Sequence, residues 1–219
     1  LEKVLEIIHY IKNNLFRDPH FLAFYMILLE IGERLEDVFG LAWKEPYTET
    51  EKLKCSGWLM LDKKGVYLRD SKDRQSAFVP LTDDGLWVLQ KLQELKSNSW
   101  SAGSRYVFPR ASDITKHISN SSYKKKLEKF NYKFGLAERT LVSTYGKRKR
   151  YKYKNIYTLK HLRKSFATHF NKTHGLQKTS ERMRHSSSLV TKEDYVKFDP
   201  GNVRVSSVFY VGSNVLLIN

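Results

Sequence analysis

The stretch from Phe21 to Ile31 is apolar almost all round. A helix without a polar face has to be enclosed by other elements, so this run predicts a core helix with partners that wrap it. The partners are legible on either side. Leu1, Val4, Leu5, Ile8, Ile11 and Leu15 fall at the spacing of an amphipathic helix. Gly32 ends the apolar run and leads into a short helix at 34–38. Thr82 before Asp83 and Asp84 is a helix start, continued by Leu86, Leu89 and Leu92 with Leu95 or Trp87. Between these lie three short β-prone runs, Trp58–Asp62, Val66–Asp70 and Ala77–Leu81, separated by polar turns. They read as a three-stranded antiparallel meander. The expected fold is therefore mainly α with a small three-stranded antiparallel β-sheet, an α+β arrangement.

Further along, 97–104 reads as a polar loop, Ser112 and Asp113 as the opening of a helix, and Tyr123–Phe134 as a basic helix. Leu159, Leu162, Phe166 and Phe170 form a helical stripe, and Lys160 and Arg163, three residues apart, are neighbours on a second face of that helix. Thr191 to Asp194 fits a capping box, which puts Tyr195 in the first turns of a helix. The tail from Pro200 to Asn219 is polar and then apolar.

Charge narrows the partner. Thirty-nine Lys and Arg against 23 Asp and Glu give a formal net charge of +16. Such a surplus favours a polyanion, because lysines and arginines displace the counterions condensed on a phosphate backbone. Lys147, Arg148, Lys149, Arg150, Lys152 and Lys154, interleaved with tyrosines, form a flexible basic loop or ribbon suited to DNA, and Lys164 adds to it. A solvated charge run is the alternative reading of the same residues.

The lone cysteine, Cys55, excludes an intramolecular disulfide and a cysteine zinc cluster. It fits a reducing, intracellular compartment, with the protein associated with host DNA. No stretch has the length of an apolar membrane span, and the first residues are not a signal peptide. The seven histidines include no pair at i, i+4, and no Walker-type glycine-rich loop occurs. Neither a metal nor any other cofactor is expected. The absence of an initiator Met reads as a fragment, with room for another domain before it.

Four stretches, in order, resemble the tyrosine recombinase (phage integrase) family. Ile31-Gly32-Glu33-Arg34-Leu35-Glu36-Asp37-Val38 is similar to its Gly-x-Arg box. Ser71-Lys72 followed by Phe78-Val79-Pro80-Leu81 resembles its hairpin-loop lysine and the strand after it. Residues 160–169, from Lys160 through Arg163 to His169, resemble its His-x-x-Arg box, and His185-Ser186-Ser187 with Thr191 and Tyr195 resembles its nucleophile segment. Two departures are visible. Lys160 stands where the family usually has His, with His161 one place later, and adjacent helical residues point about 100° apart; Lys160 is preferred by register. Arg184 precedes His185 where Gly is common, and the gap from His185 to Tyr195 is one residue longer than usual, so Arg184 and His185 both remain candidates. The Lys-x-x-Arg box and the spacing are similar to those of integrases of archaeal spindle-shaped viruses.

The chemistry asks for these residue types on its own account. A phosphodiester is anionic, and its five-coordinate transition state carries extra charge on the non-bridging oxygens. Arg34 and Arg163 offer rigid forks of donors that stay protonated. A tyrosine ionises near pH ~10, and surrounding cations favour its phenolate. The resemblance implies that Tyr195 attacks phosphorus to give a 3′-phosphotyrosine and that Lys72 protonates the leaving 5′-oxygen. Lys160 and His185 would then donate to the phosphate or assist proton transfer.

It also implies a catalytic domain over 1–200 and a tail, 201–219, that docks on a neighbouring protomer. The expected activity is site-specific integration or excision of a mobile or viral element. The expected partner is double-stranded DNA, gripped by a homotetramer that is a monomer when free and has no membrane contact. Alternatives are a type IB topoisomerase or telomere resolvase with similar chemistry, a non-catalytic DNA-binding module, and a metal-dependent nuclease.

Overall fold

The computed structural model describes residues 2–69, 76–145, 148–156, 163, 167, 171 and 175–183. Its centre is α2 (Pro19–Ile31), in which every residue from His20 to Leu29, and Ile31, is buried. Pro19 opens this helix, where a missing N–H costs nothing. Gly32 closes it in the left-handed region (φ 62°, ψ 18°), and its N–H donates to the Leu28 carbonyl at 3.2 Å. Only glycine adopts that conformation without strain.

Around α2 pack α1 (Glu2–Asn14), α5 (Asp83–Lys96) and α6 (Asn120–Lys133). Ile7, Ile8 and Ile11 of α1 face the core, and Leu15 continues the stripe in a 3₁₀ turn. Thr82 caps α5, as its sequence predicts: its Oγ1 accepts from the Gly85 N–H at 3.3 Å. The same hydroxyl donates to Glu30 Oε2 at 2.7 Å, tying α5 to the polar end of α2. Between α2 and α6 lies an aromatic cluster in which Phe21, Phe24, Tyr25, Tyr123 and Phe130 meet mostly edge to face or tilted. Tyr25 is fully buried, which drives its phenol far above the ordinary tyrosine range.

The predicted meander is present and has one more strand. α3 (Leu35–Phe39) runs into β1 (Leu41–Ala42), which pairs in parallel with β2 (Gly57–Met60). The short helix α4 (Glu49–Lys52) lies between them. β2, β3 (Gly65–Leu68) and β4 (Ala77–Pro80) then pair antiparallel in sheet order β1-β2-β3-β4. A two-residue strand shows no period in sequence, which is why only three strands were expected.

Two small sheets complete the described fold. β5 (Pro109–Arg110) pairs with β6 (Asp113–His117), which corrects the expected helix opening at Ser112. Asp113 does not cap a helix. Its Oδ1 accepts from Thr115 Oγ1 at 2.6 Å and from the Thr115 N–H at 3.1 Å, holding extended backbone through two β-branched residues. β7 (Ala137–Tyr145) and β8 (Arg148–Asn155) form a long two-stranded antiparallel ribbon. The basic run that read as a flexible loop or ribbon is thus a ribbon. The last described helix, α7, covers Leu176–Arg182. Among the described residues, no helix is long and apolar enough to cross a membrane.

Candidate active site

The site begins where α2 ends. After the Gly32 turn, Glu33 is buried, and Arg34, the residue that opens α3, is exposed. The alternative to a catalytic Arg34 is a plain surface ion pair with Glu33 or Glu36. Among the described residues Arg34 has no such pair, and Glu33 has turned inward to another cation. Arg34 itself is exposed.

That other cation is Arg163. It is helical, as are Ala167 and Asn171, and Arg163 and Ala167, four residues apart on one face, are both buried. Its Nη1 donates to the Gly32 carbonyl at 2.7 Å and to Glu33 Oε2 at 3.2 Å. Its Nη2 donates to the Met183 carbonyl at 3.1 Å. One guanidinium therefore joins the end of α2, the turn before α3 and the residue that caps α7. Gly32 and Met183 both lie at helix C-termini, where carbonyls point outward and attract a cation. Nε–H and the remaining hydrogen on Nη2 have no partner among the described residues.

This geometry brings two predicted site residues together. Arg163 is bonded to Gly32 and Glu33, and Arg34 is the next residue along the chain. The carbonyl held by Nη2 belongs to Met183, which precedes Arg184 and His185 in the chain. Lys72, Lys160, His161, Arg184, His185 and Tyr195 themselves lie outside the described residues, as do Lys147 and Lys164. The strands that flank the Lys72 loop, β3 and β4, are joined in register from Leu68↔Ala77 to Gly65↔Pro80.

The ribbon carries the other predicted contacts. In β8, side chains alternate between faces. Arg150, Lys152 and Lys154 are exposed, whereas Tyr151, Tyr153 and Asn155 are half-buried. Lys149 shares the parity of the tyrosines, and the Arg148 side chain lies outside those described. Tyr153 meets Tyr132 of α6 edge to face at 6.0 Å, and Asn131 Nδ2 donates to Asn155 Oδ1 at 3.1 Å. The predicted basic cluster is therefore split across two faces.

Two residues escaped sequence reasoning. Glu33 looked like a neighbour of Arg34; its one signal is an acid placed directly after an apolar helix and its glycine stop. Arg139 was not singled out, yet its guanidinium lies 4.4 Å from the centre of Tyr132 and 4.5 Å from that of Tyr151. Two clefts of about 470 and 480 Å³ open elsewhere, around Trp43 and around His20 and Trp100, and neither includes Arg34 or Arg163. Among the described residues, no group of three or more His, Cys, Asp or Glu is gathered to hold a metal.

Comparison with known proteins bears on the whole arrangement. XerA recombinase shares the fold with a TM-score of 0.61 at 15% identity, over 90% of this chain and 57% of that one. XerH site-specific recombinase, solved bound to difH substrate, gives 0.59 at 18% identity, over 90% and 48%. A λ integrase dimer bound to a COC′ core site gives 0.56 at 14% identity, over 94% and 60%. The chain thus spans about half to three fifths of the length of these structures. No curated protein shows significant sequence similarity to it. The phage integrase family model matches residues 1–201, and with that match across nearly the whole chain, the protein belongs to the phage integrase family.

Proposed function

We propose that this chain is the catalytic domain of a site-specific DNA recombinase that breaks and rejoins strands through a 3′-phosphotyrosine at Tyr195, in the integration or excision of a mobile or viral element. The observation that carries the reading is the junction of Arg34 and Arg163. One arginine is exposed and without an ion pair among the described residues; the other is anchored beside it. Paired guanidiniums suit the non-bridging oxygens of a phosphate whose charge grows in the transition state.

In this reading the Tyr195 oxygen attacks phosphorus, and the bond from phosphorus to the 5′-oxygen breaks. Lys72 gives its proton to the leaving 5′-oxygen. Lys160, with His185 or Arg184, donates to the phosphate. The phosphotyrosine ester keeps the bond energy, so another strand's 5′-hydroxyl reverses the step without a nucleotide cofactor. Lys147, Arg148, Arg150, Lys152, Lys154 and Lys164 contribute to holding the duplex. Assembly would be a homotetramer on two duplexes, with the 201–219 tail docking on a neighbour.

The test is incubation with a nicked suicide duplex, followed by a denaturing gel. A slow-migrating protein–DNA adduct is expected for the wild type and is lost in Tyr195→Phe. An adduct of equal yield in Tyr195→Phe removes the tyrosine from the mechanism.

A further inference from the structure

The β7–β8 ribbon stands out from the body. From Glu138 to Tyr145 every residue of β7 is exposed, and at about 3.4 Å per residue the longer strand extends ~30 Å. The described contacts of its base are with α6, through Tyr153, Asn155 and Arg139.

Its two faces differ in chemistry. Cross-strand partners share a face, so the register puts Glu138 with Lys154, Thr140 with Lys152 and Ser143 with Arg150 on one side, where Tyr145 also falls. Among the described side chains, that side holds three cations against one acid, with the hydroxyls of Thr140 and Ser143 between them. Ala137, Arg139 and Leu141 lie on the other side, opposite Asn155, Tyr153 and Tyr151. Lys149, opposite Thr144, belongs to this second side despite its place in the basic run. Arg139 sits between the Tyr132 and Tyr151 rings and so links β7, β8 and α6 at the root of the ribbon.

We infer that the ribbon is a DNA arm that lies in the major groove, with the face of Arg150, Lys152 and Lys154 on the duplex. The inference rests on the reading of this chain as an enzyme of duplex DNA. The major groove admits a two-stranded β-ribbon. The cations recur every second residue, about 6.8 Å apart, close to two base-pair rises. Thr140 and Ser143 add hydroxyls suited to phosphate or base edges. A protein partner would call for a buried apolar or aromatic centre, and the basic face offers only Tyr145. Arg139 is a positioning residue: the stacked cation fixes the angle at which the arm leaves α6.

The arm is tested with the full chain on a mixed-sequence duplex, with affinity measured between about 50 and 200 mM salt. Each phosphate contact contributes about 0.9 to the slope of log affinity against log salt. Lys152→Ala with Lys154→Ala should therefore reduce the slope by ~1.8, equivalent to about a tenfold smaller affinity change over that range. Lys149→Ala should move it by much less than one contact. Arg139→Ala should lower the slope with Arg150, Lys152 and Lys154 still present, and Arg139→Lys should recover part of it. Circular dichroism of each variant reports that the chain remains folded.

A second duplex, its cytosines carrying glucosylated hydroxymethyl groups that fill the major groove, should weaken the wild type more than the Lys152/Lys154 variant. Equal slopes for Lys149→Ala and Lys152→Ala, or an equal response of wild type and variant to the filled groove, would overturn the arm. A Tyr195-dependent adduct with no face-dependent slope rejects the arm alone. Face-dependent slopes without an adduct reject the recombinase reading and retain a DNA arm.

Discussion

Glu33→Gln is a sharp test of how the site is built. The Glu33 side chain is fully buried and that of Arg163 is 9% exposed, with Nη1 to Oε2 at 3.2 Å. The substitution keeps the shape and removes the charge, leaving a guanidinium in the interior with carbonyl acceptors only. Breaking a buried pair in this way costs about 3–5 kcal/mol; the Gly32 and Met183 carbonyls still hold Arg163, so the lower end of that range is expected. Arg163→Met should cost more, because it strips those two carbonyls of their donor at ~1–3 kcal/mol each, in addition to removing the ion pair of Glu33. The double variant should lose less than the sum of the two, since each single change leaves a charge that the other removes. Urea unfolding followed by tryptophan fluorescence measures all three. A loss below about 0.5 kcal/mol for Glu33→Gln would match an exposed pair and refute the buried anchor.

Other consequences follow from the fold and the chemistry. Gly57→Ala would place a Cβ 2.1 Å from the Tyr67 carbonyl oxygen across β2 and β3; backbone cannot yield as a side chain does, so a loss of about 1–3 kcal/mol is expected in the same urea assay. His20 is buried beside Ser101, to which its Nε2 is hydrogen-bonded at 2.9 Å, and burial holds its pKa below the ordinary histidine value. The unfolded chain then binds the extra proton first, so stability is full above pH ~6.5 and falls as the pH drops below it. His20→Gln should flatten the decline in urea midpoint between about pH 7 and 5; an unchanged decline would clear His20. If guanidiniums do the work of a metal pair, EDTA leaves adduct yield on the suicide duplex unchanged, and abolition by EDTA would favour a nuclease.

The parts of the fold that announce themselves do so through period and capping. The 21–31 run has no polar face, and it became the enclosed α2. Thr82 before two acids became a capped helix start. The β2–β4 runs, bounded by turn residues, became strands within two residues of their expected ends. The illegible parts lack such a signal. β7 exposes every residue after Ala137, so no apolar alternation marks it as a strand, and its order comes from pairing with β8 and from Arg139 between two rings. Asp113 has the composition of a helix cap and spends its carboxylate on Thr115. The partnership of Glu33 with Arg163 spans 130 residues and exists only once α2, α3 and the Arg163 helix have packed. Motif order named Arg34 and Arg163, whereas the acid that anchors one of them was legible only in three dimensions.

The central claim is a covalent bond, and it is tested most directly by isolating that bond. Adduct formed on the suicide duplex would be trimmed with nuclease and protease, and the nucleotide-bearing peptide sequenced by mass spectrometry. A nucleotide joined through its 3′-phosphate to Tyr195 is expected. A nucleotide on any other residue, or a linkage through a 5′-phosphate, would contradict it.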